Sequence, residues 1–115
     1  MNIAQRIKKL REFSHLTQQE LAEKLSISRS TLAGYESENK QPSYQILIQL
    51  SDVFNVPTDY LLGAGAFKDW NKLLENKTEI LNQISIQAQH LALNINNGVD
   101  DITFAKLVYV FDIHI

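Results

Sequence analysis

Apolar residues at the start of the chain recur every three or four positions, as they do on the buried face of a helix. Ile3 and Ile7 follow this spacing, and Asn2 precedes them in a position that forms a capping box with Gln5. The pattern therefore predicts a first helix over about residues 3–13.

A second start signal lies at Thr17, where Glu20 completes a capping box three residues later. The helix that it opens ends at Ser26, and Ser28 caps another helix after a turn of only about three residues. Two capped helices joined by so short a turn must cross at a steep angle, which is the geometry of a helix-turn-helix. We therefore expect this motif between Thr17 and Glu36.

Two further helices complete the first half of the chain. Ser43 caps the fourth, which ends near Asn55, and Thr58 caps a short fifth helix that stops at Gly63. Five helices within residues 1–63 predict a compact all-α domain. Its expected core residues on the second and third helices are Leu21, Ala22, Leu25, Leu32 and Tyr35.

The second half, residues 64–115, carries a heptad-like apolar stripe. Its positions are Phe67, Trp70, Leu74, Leu81, Ile84, Ala88, Leu91 and Ile95, with Lys77 as a polar interruption. A single helix over residues 67–96 would be about 45 Å long, too long to bury its stripe on a small domain. We expect the stripe to form a homodimer interface or to pack against residues 101–115 of the same chain, and two such hairpins in a four-helix bundle would do both.

Residues 101–115 fit two kinds of structure. Their apolar side chains share one helical face, yet several also alternate as in a strand, notably Leu107, Tyr109 and Phe111. We expect a helix capped by Asp101. The predicted fold class is all-α: a five-helix domain followed by a region with one long and one short helix.

Composition narrows the classes of function. The chain has 115 residues, a formal net charge of −2 and no cysteine, which excludes disulfides, thiolate zinc sites and cysteine nucleophiles. Its histidines, His15, His90 and His114, are too scattered for a metal pair, and no coherent catalytic set is present. No apolar run is long enough to span a bilayer, and no signal peptide is visible. We expect a cytoplasmic protein without enzyme activity, cofactor, metal or membrane contact.

The first half is electrically balanced. It has seven basic residues (Arg6, Lys8, Lys9, Arg11, Lys24, Arg29 and Lys40) and seven acidic ones (Glu12, Glu20, Glu23, Glu36, Glu38, Asp52 and Asp59). A domain with this balance binds nucleic acid only through a local basic face, with an affinity that falls steeply as salt is added.

Several short motifs recur in order through the first half. They are Gln18-Gln19-Glu20-Leu21-Ala22, Ile27-Ser28-Arg29-Ser30-Thr31-Leu32, Tyr35-Glu36, Pro42-Ser43 and Asp59-Tyr60-Leu61-Leu62-Gly63. Together they resemble the Cro and phage-repressor family of helix-turn-helix regulators, the xenobiotic-response-element type, over residues 1–63. The resemblance implies a lambda-repressor-like DNA-binding domain in a sequence-specific regulator of transcription.

The outer, N-terminal part of the third helix is the part that enters the major groove in this motif. It carries Ser28, Arg29, Ser30, Thr31 and Gly34. Arg29 is the chief candidate for a base contact, because a guanidinium pairs with guanine O6 and N7; a phosphate contact is the alternative. Gly34 costs helix stability, which indicates close approach to DNA or relief of crowding.

The resemblance also implies contacts to the DNA backbone. Gln18 would bind phosphate at the N-terminus of the second helix, where free amides favour an anion. Thr17 joins it there or serves only as the helix cap. The residues expected to reach the backbone on the far side of the groove are Lys40, Gln41, Ser43 and Tyr44. Such contacts position a protein without reading sequence.

The chain departs from the family pattern at three turns. It has His15 and Ser26 where members commonly carry glycine, and Glu38-Asn39 where they carry glycine and a basic residue. We expect His15 to be a turn residue, since histidine and asparagine tolerate the left-handed conformation better than most residues. The acidic Glu38 weakens the expected phosphate side, which argues against tight binding by a monomer.

Two functions are consistent with these patterns. The first is a dimeric repressor of a palindromic operator in double-stranded DNA, with residues 64–115 forming the dimer. The second is a protein-binding module, an antitoxin or a switch controlled by an antagonist, in which the apolar C-terminal region binds a second protein and DNA binding is autoregulatory.

Overall fold

All regular structure in the described part of the chain is helical. The computed structural model describes residues 2–88 and 98–113, with residues 87 and 88 described by their backbone alone. The chain divides into two compact units, residues 1–63 and residues 64–115. The predicted all-α fold class is confirmed.

The first unit contains five helices. They are α1 (Ile3–Phe13), α2 (Gln18–Leu25), α3 (Arg29–Glu36), α4 (Tyr44–Phe54) and α5 (Thr58–Leu62). Helix α3 packs on α1 and α2, α4 packs on α2, and α5 packs on α1 and α4. The arrangement encloses one core and leaves the outer side of α3 in solvent.

Side-chain caps define where these helices begin. The side chains of Asn2, Thr17, Ser28 and Ser43 each accept a hydrogen bond from the backbone N–H three residues ahead, as the sequence predicts. Such a cap satisfies one of the amide groups that a helix leaves unpaired at its start. Helix α5 differs by one residue, since its N-cap is Pro57 and Thr58 is already helical.

Four residues of the first unit other than glycine have left-handed backbone. The φ angles are 57° at His15, 56° at Ser26, 70° at Glu38 and 53° at Asn55, which ends α4. The first three are the positions where the family pattern that the sequence resembles has glycine, and the interpretation of His15 as a turn residue is confirmed. The chain keeps the backbone path while accepting the steric strain of a side chain there.

The core of the first unit is formed where α2 and α3 cross. Leu21, Ala22 and Leu32 have no exposed surface, Leu25 is 1% exposed, and Tyr35 is buried as well. A larger residue than alanine at position 22 would push the crossing helices apart, because protein interiors are close-packed. The predicted core residues are confirmed.

Arg6 is a charged residue inside this unit, with only 4% of its surface exposed. Its guanidinium lies 5.5 Å from the centre of the Tyr60 ring, and burial lowers the pKa of Arg6. Gly63 ends α5 with a φ of 65°, and a Cβ there would lie 2.5 Å from Arg6 Nη1. Glycine is therefore required at position 63 for two reasons: the backbone is left-handed there, and the buried guanidinium leaves no space for a side chain.

The second unit begins with a 3-10 helix, Gly65–Phe67, and continues with α6 (Trp70–Glu75), α7 (Lys77–Ala88) and α8 (Asp101–Val110). The prediction of one continuous helix from residue 67 is wrong, because the helix breaks at Asp69 and Asn76. Asn76 Nδ2 donates to the carbonyl oxygen of Lys72 at 2.9 Å. The backbone N–H of Asn76 donates to the same oxygen at 3.2 Å, so the side chain shares the acceptor of the last helical hydrogen bond.

Helix α8 decides between the two structures that residues 101–115 could form. The described residues from Asp101 to Val110 are helical, so the prediction of a helix rather than a strand is confirmed. The side chain of Asp100 accepts from Thr103 N at 2.8 Å and caps the helix one residue before the expected position. Residues 114 and 115 lie outside the described part of the chain.

Aromatic packing joins α8 to the start of the second unit. The rings of Phe67 and Trp70 have centroids 5.9 Å apart, and the Trp70 and Phe104 centroids are also 5.9 Å apart. Lys77 Nζ lies 3.2 Å from an Asp101 carboxylate oxygen and 5.8 Å from the centre of the Phe104 ring. These contacts form a small core within the chain. In its described residues, no helix is long and apolar enough to cross a membrane.

Candidate nucleic-acid interface

The N-terminal end of α3 presents short polar side chains to solvent. Ser28, Arg29 and Ser30 are exposed, and Thr31 is partly buried. Ser28 Oγ lies 2.8 Å from Thr31 Oγ1 and 3.1 Å from Ser30 Oγ, so the Ser28 hydroxyl is hydrogen-bonded to both of the others. The exposed Arg29 therefore has only short polar side chains beside it at this end of α3.

A groove of about 650 Å³ runs along this side of α3. Its walls are formed by α1, the start of α2, α3 itself and the turn that follows α3. Its lining residues are Lys8, Arg11, Gln18, Arg29, Ser30, Ala33, Gly34, Glu36, Ser37, Asn39 and Lys40. Lys8, Arg29 and Lys40 form no ion pair with any residue that the structure describes. Their positive charges are therefore available to an anionic ligand.

Glu36 links Arg11 to Gln18 at one wall of the groove. Arg11 Nε and Nη2 donate to the two Glu36 carboxylate oxygens at 2.7 Å and 3.0 Å, and Arg11 Nη1 donates to the Leu16 carbonyl at 2.9 Å. The hydrogen bond to Glu36 raises the pKa of Arg11. Gln18 Nε2 donates to the same carboxylate at 3.2 Å. Glu36 thus fixes both side chains from a position that is 4% exposed.

Gln18 is the first residue of α2, where backbone amides point outward without helical partners. The helix dipole adds a partial positive charge at this end. Thr17 Oγ1 accepts from Glu20 N at 3.1 Å, so this side chain serves as the cap. The start of α2 therefore offers amide donors next to an oriented glutamine amide.

The residues expected to flank the groove on its far side are exposed. Lys40, Gln41 and Ser43 lie in the connection from α3 to α4, and Tyr44 at the start of α4 is 78% exposed. The side chain of Asn2 donates a hydrogen bond to the Glu38 carboxylate. Glu38 lines a second cavity of about 250 Å³ beside Asn2, and Lys40 lines both this cavity and the larger groove.

Comparison with known proteins identifies the family of this chain. A helix-turn-helix family model matches residues 7–61. The sequence is 34% identical over 114 residues to the HTH-type transcriptional regulator ImmR of Bacillus subtilis (strain 168), an alignment that covers 94% of this chain and 86% of that protein. The chain belongs to the Cro/C1-type helix-turn-helix family of transcriptional regulators.

Two other relatives match over about half of the chain. The uncharacterized HTH-type transcriptional regulator YobD of Bacillus subtilis (strain 168) is 42% identical over 59 residues, 51% of this chain and 53% of that protein. The immunity repressor protein of Bacillus phage phi105 is 36% identical over 63 residues, 55% of this chain and 44% of the repressor. The family resemblance inferred from the motifs is confirmed, and the family is one of DNA-binding regulators rather than enzymes.

Sequence reasoning missed three charged residues of the regulator's groove: Lys8, Arg11 and Glu36. The available signal was the set of basic residues between the apolar positions of α1, two of which turn toward the groove. Glu36 lies 25 positions from Arg11, so no local pattern reveals their pairing. It becomes visible only once α1 and α3 are packed together.

The regulator's apolar stripe is divided in the second unit. Phe67, Trp70 and Ile84 are buried, while Leu74 and Leu81 are partly buried. The side chain of Ala88 and all of Leu91 and Ile95 lie outside the described residues. Among the described residues of this unit, the large apolar side chains that remain exposed are Ile86, Tyr109 and Val110.

Proposed function

We propose that this regulator is a dimeric repressor that inserts α3 into the major groove of a palindromic operator. The observation that carries the proposal is the groove beside α3, where Lys8, Arg29 and Lys40 have no ion-pair partner among the described residues. An anionic ligand that presents a base edge and neighbouring phosphates matches this surface. The name of the phage phi105 relative supports repression as the outcome.

The side chains divide the work between base and phosphate. Arg29 contacts a base, because its guanidinium suits the two acceptors of guanine and it stands at the exposed end of α3. Ser30 and Thr31 contact neighbouring base edges or a thymine methyl. Gln18, oriented by Glu36, binds a phosphate at the N-terminus of α2, and Lys40 binds one across the groove.

Replacing Arg29 with alanine should relax sequence selection at one position of each half-site and weaken operator binding roughly 5- to 150-fold, equivalent to about 1–3 kcal/mol. Selection of bound sequences from random DNA, followed by titration of the enriched duplex, measures both effects. Lys24→Ala is the matched control, since Lys24 is an exposed cation of α2 outside the groove. An Arg29→Ala variant with the wild-type motif and affinity would contradict the assignment.

The dimer follows from the balance of charge in the first unit. A single neutral domain covers a few base pairs with few phosphate contacts, whereas a two-fold dimer reads two half-sites about 34 Å apart, or a multiple of that spacing. The second unit supplies apolar side chains for the contact. Leu74 and Leu81 are only partly buried, and Ile86, Tyr109 and Val110 are exposed.

The full chain should therefore dimerise at micromolar concentration, and Ile86→Asp and Val110→Asp should each shift it toward the monomer and weaken operator binding. A charge placed in an apolar interface must be desolvated, which opposes association. Multi-angle light scattering over a range of concentrations measures the mass. Phe13→Asp is the matched control, because Phe13 is an exposed apolar residue of the first unit. A wild-type chain that stays monomeric contradicts the dimer.

The exposed Tyr109 and Val110 also favour a second function, a module that binds another protein. In that case an antagonist or toxin covers the C-terminal region and DNA binding is autoregulatory. A monomeric wild-type chain whose operator affinity is unchanged by Val110→Asp would support this function over the dimeric repressor.

A further inference from the structure

Gly34 lies inside α3 at a position with no conformational need for glycine. It is absent from the described residues with positive φ, so alanine would fit this backbone and favour the helix. The side chain of Lys40 crowds this position. A Cβ on Gly34 would lie 3.0 Å from Lys40 Cδ and 3.2 Å from Lys40 Cγ. Alanine at position 34 would therefore push the aliphatic stem of Lys40 aside by a few tenths of an ångström.

The backbone fixes where that stem begins. Lys40 N donates a hydrogen bond to the Gly34 carbonyl at 3.1 Å, and Ser37 Oγ donates to the same oxygen at 3.3 Å. The turn after α3 is thus tied to the residue that the Lys40 side chain crosses. Both residues line the groove, but Gly34 is buried and Lys40 is exposed. Lys40 is therefore the more accessible of the two to a ligand in the groove.

We propose that Gly34 is a positioning residue for DNA binding, which seats Lys40 across α3 so that its ammonium meets a DNA phosphate. A lysine with a free stem loses rotamer entropy when it binds, and a stem already held against a helix loses less. The inference rests on the proposed function and gives Gly34 an indirect role in place of a direct contact with DNA.

A double-mutant cycle on the full chain tests this role. Binding to a mixed-sequence duplex of 30 base pairs is titrated at several salt concentrations for wild type, Gly34→Ala, Lys40→Ala and the double variant. Lys40→Ala should weaken binding up to about eightfold at 0.1 M salt and reduce the salt slope by about one. Gly34→Ala should weaken binding about three- to eightfold and lower the slope, but cause no further loss in the Lys40→Ala background.

Lys8→Ala provides the matched background, since Lys8 lines the same groove without being among the atoms closest to Gly34. There the loss caused by Gly34→Ala should persist in full. Thermal unfolding of each variant separates positioning from stability. If Gly34→Ala lowers the midpoint, the double variant with Lys40→Ala should recover it, because the crowded side chain is gone.

Two results would overturn the inference while leaving the proposed function intact: a Gly34→Ala loss of equal size with and without Lys40, and a Gly34→Ala variant with wild-type affinity and salt slope. The first would mean that position 34 contacts DNA directly. A wild-type chain that fails to bind the duplex would overturn the proposed function and this inference together.

Discussion

Replacing Glu36 with alanine should lower the free energy of unfolding of the first unit by about 3 kcal/mol, because breaking a buried ion pair leaves the remaining charge uncompensated. The Arg11 side chain is 13% exposed and the Glu36 side chain 4%, so water replaces little of the lost interaction. Gln18 loses its hydrogen-bond acceptor in the same variant. We therefore also expect weaker DNA binding under conditions where the variant is folded.

Urea unfolding followed by far-ultraviolet circular dichroism measures the loss. Trp70 is the single tryptophan and lies in the second unit, so its fluorescence should report a transition that Glu36→Ala leaves in place. Replacing the pair with methionines, Arg11→Met with Glu36→Met, is the control. It should recover most of the stability, since apolar residues of similar volume substitute well for a buried pair, without restoring DNA affinity. An unchanged unfolding midpoint in Glu36→Ala would contradict the prediction.

Trp70→Ala should destabilise the second unit by about 3–5 kcal/mol. The loss has two parts: the cavity that the ring leaves, and the ring contacts to Phe67 and Phe104. Aromatic pairs stabilise a core by more than their buried apolar area accounts for. A unit this small has little stability to spare, so its helices should unfold at a much lower urea concentration. If residues 64–115 form the dimer, the mass measured by light scattering should fall with it.

Trp70→Phe is the matched control for this core, because it keeps a ring between Phe67 and Phe104 and should cost less than Trp70→Ala. The circular dichroism of the first unit should remain, and its transition should stay at the wild-type urea concentration. A single unfolding transition that Trp70→Ala leaves unmoved would show that the ring contributes little to the fold.

Local chemistry explains which parts of the fold the sequence predicts well. The caps at Asn2, Thr17, Ser28 and Ser43 depend on residues three positions apart, so pattern alone places the starts of α1 to α4. The glycines of the family pattern that the sequence resembles likewise predict left-handed turns, such as the one at His15. Each of these signals lies within a few residues of the structure that it specifies.

The parts that the sequence does not predict depend on distant partners or on small local differences. The apolar periodicity predicts a helix that continues through Asn76. In the structure α6 ends just before this residue, whose side chain donates to the Lys72 carbonyl. In the sequence, Glu36 is recognisable only as part of a family motif. Its hydrogen bonds to Arg11 and Gln18 appear once α1 and α2 pack against α3. Gly34 suggested either DNA contact or crowding, and the position of Lys40 supplies the physical reason for crowding.

The contact between Arg6 and Gly63 defines a joint for building chimeras. Gly63 is the last residue of the first unit, and its α-carbon has no room for a side chain beside the Arg6 guanidinium. An exchange of C-terminal halves between related regulators therefore preserves the buried arginine when the junction follows Gly63. A junction placed earlier, with any other residue at position 63, would strain the Arg6 side chain and displace α1. Because α3 packs on α1, the DNA-facing helix would be disturbed as well.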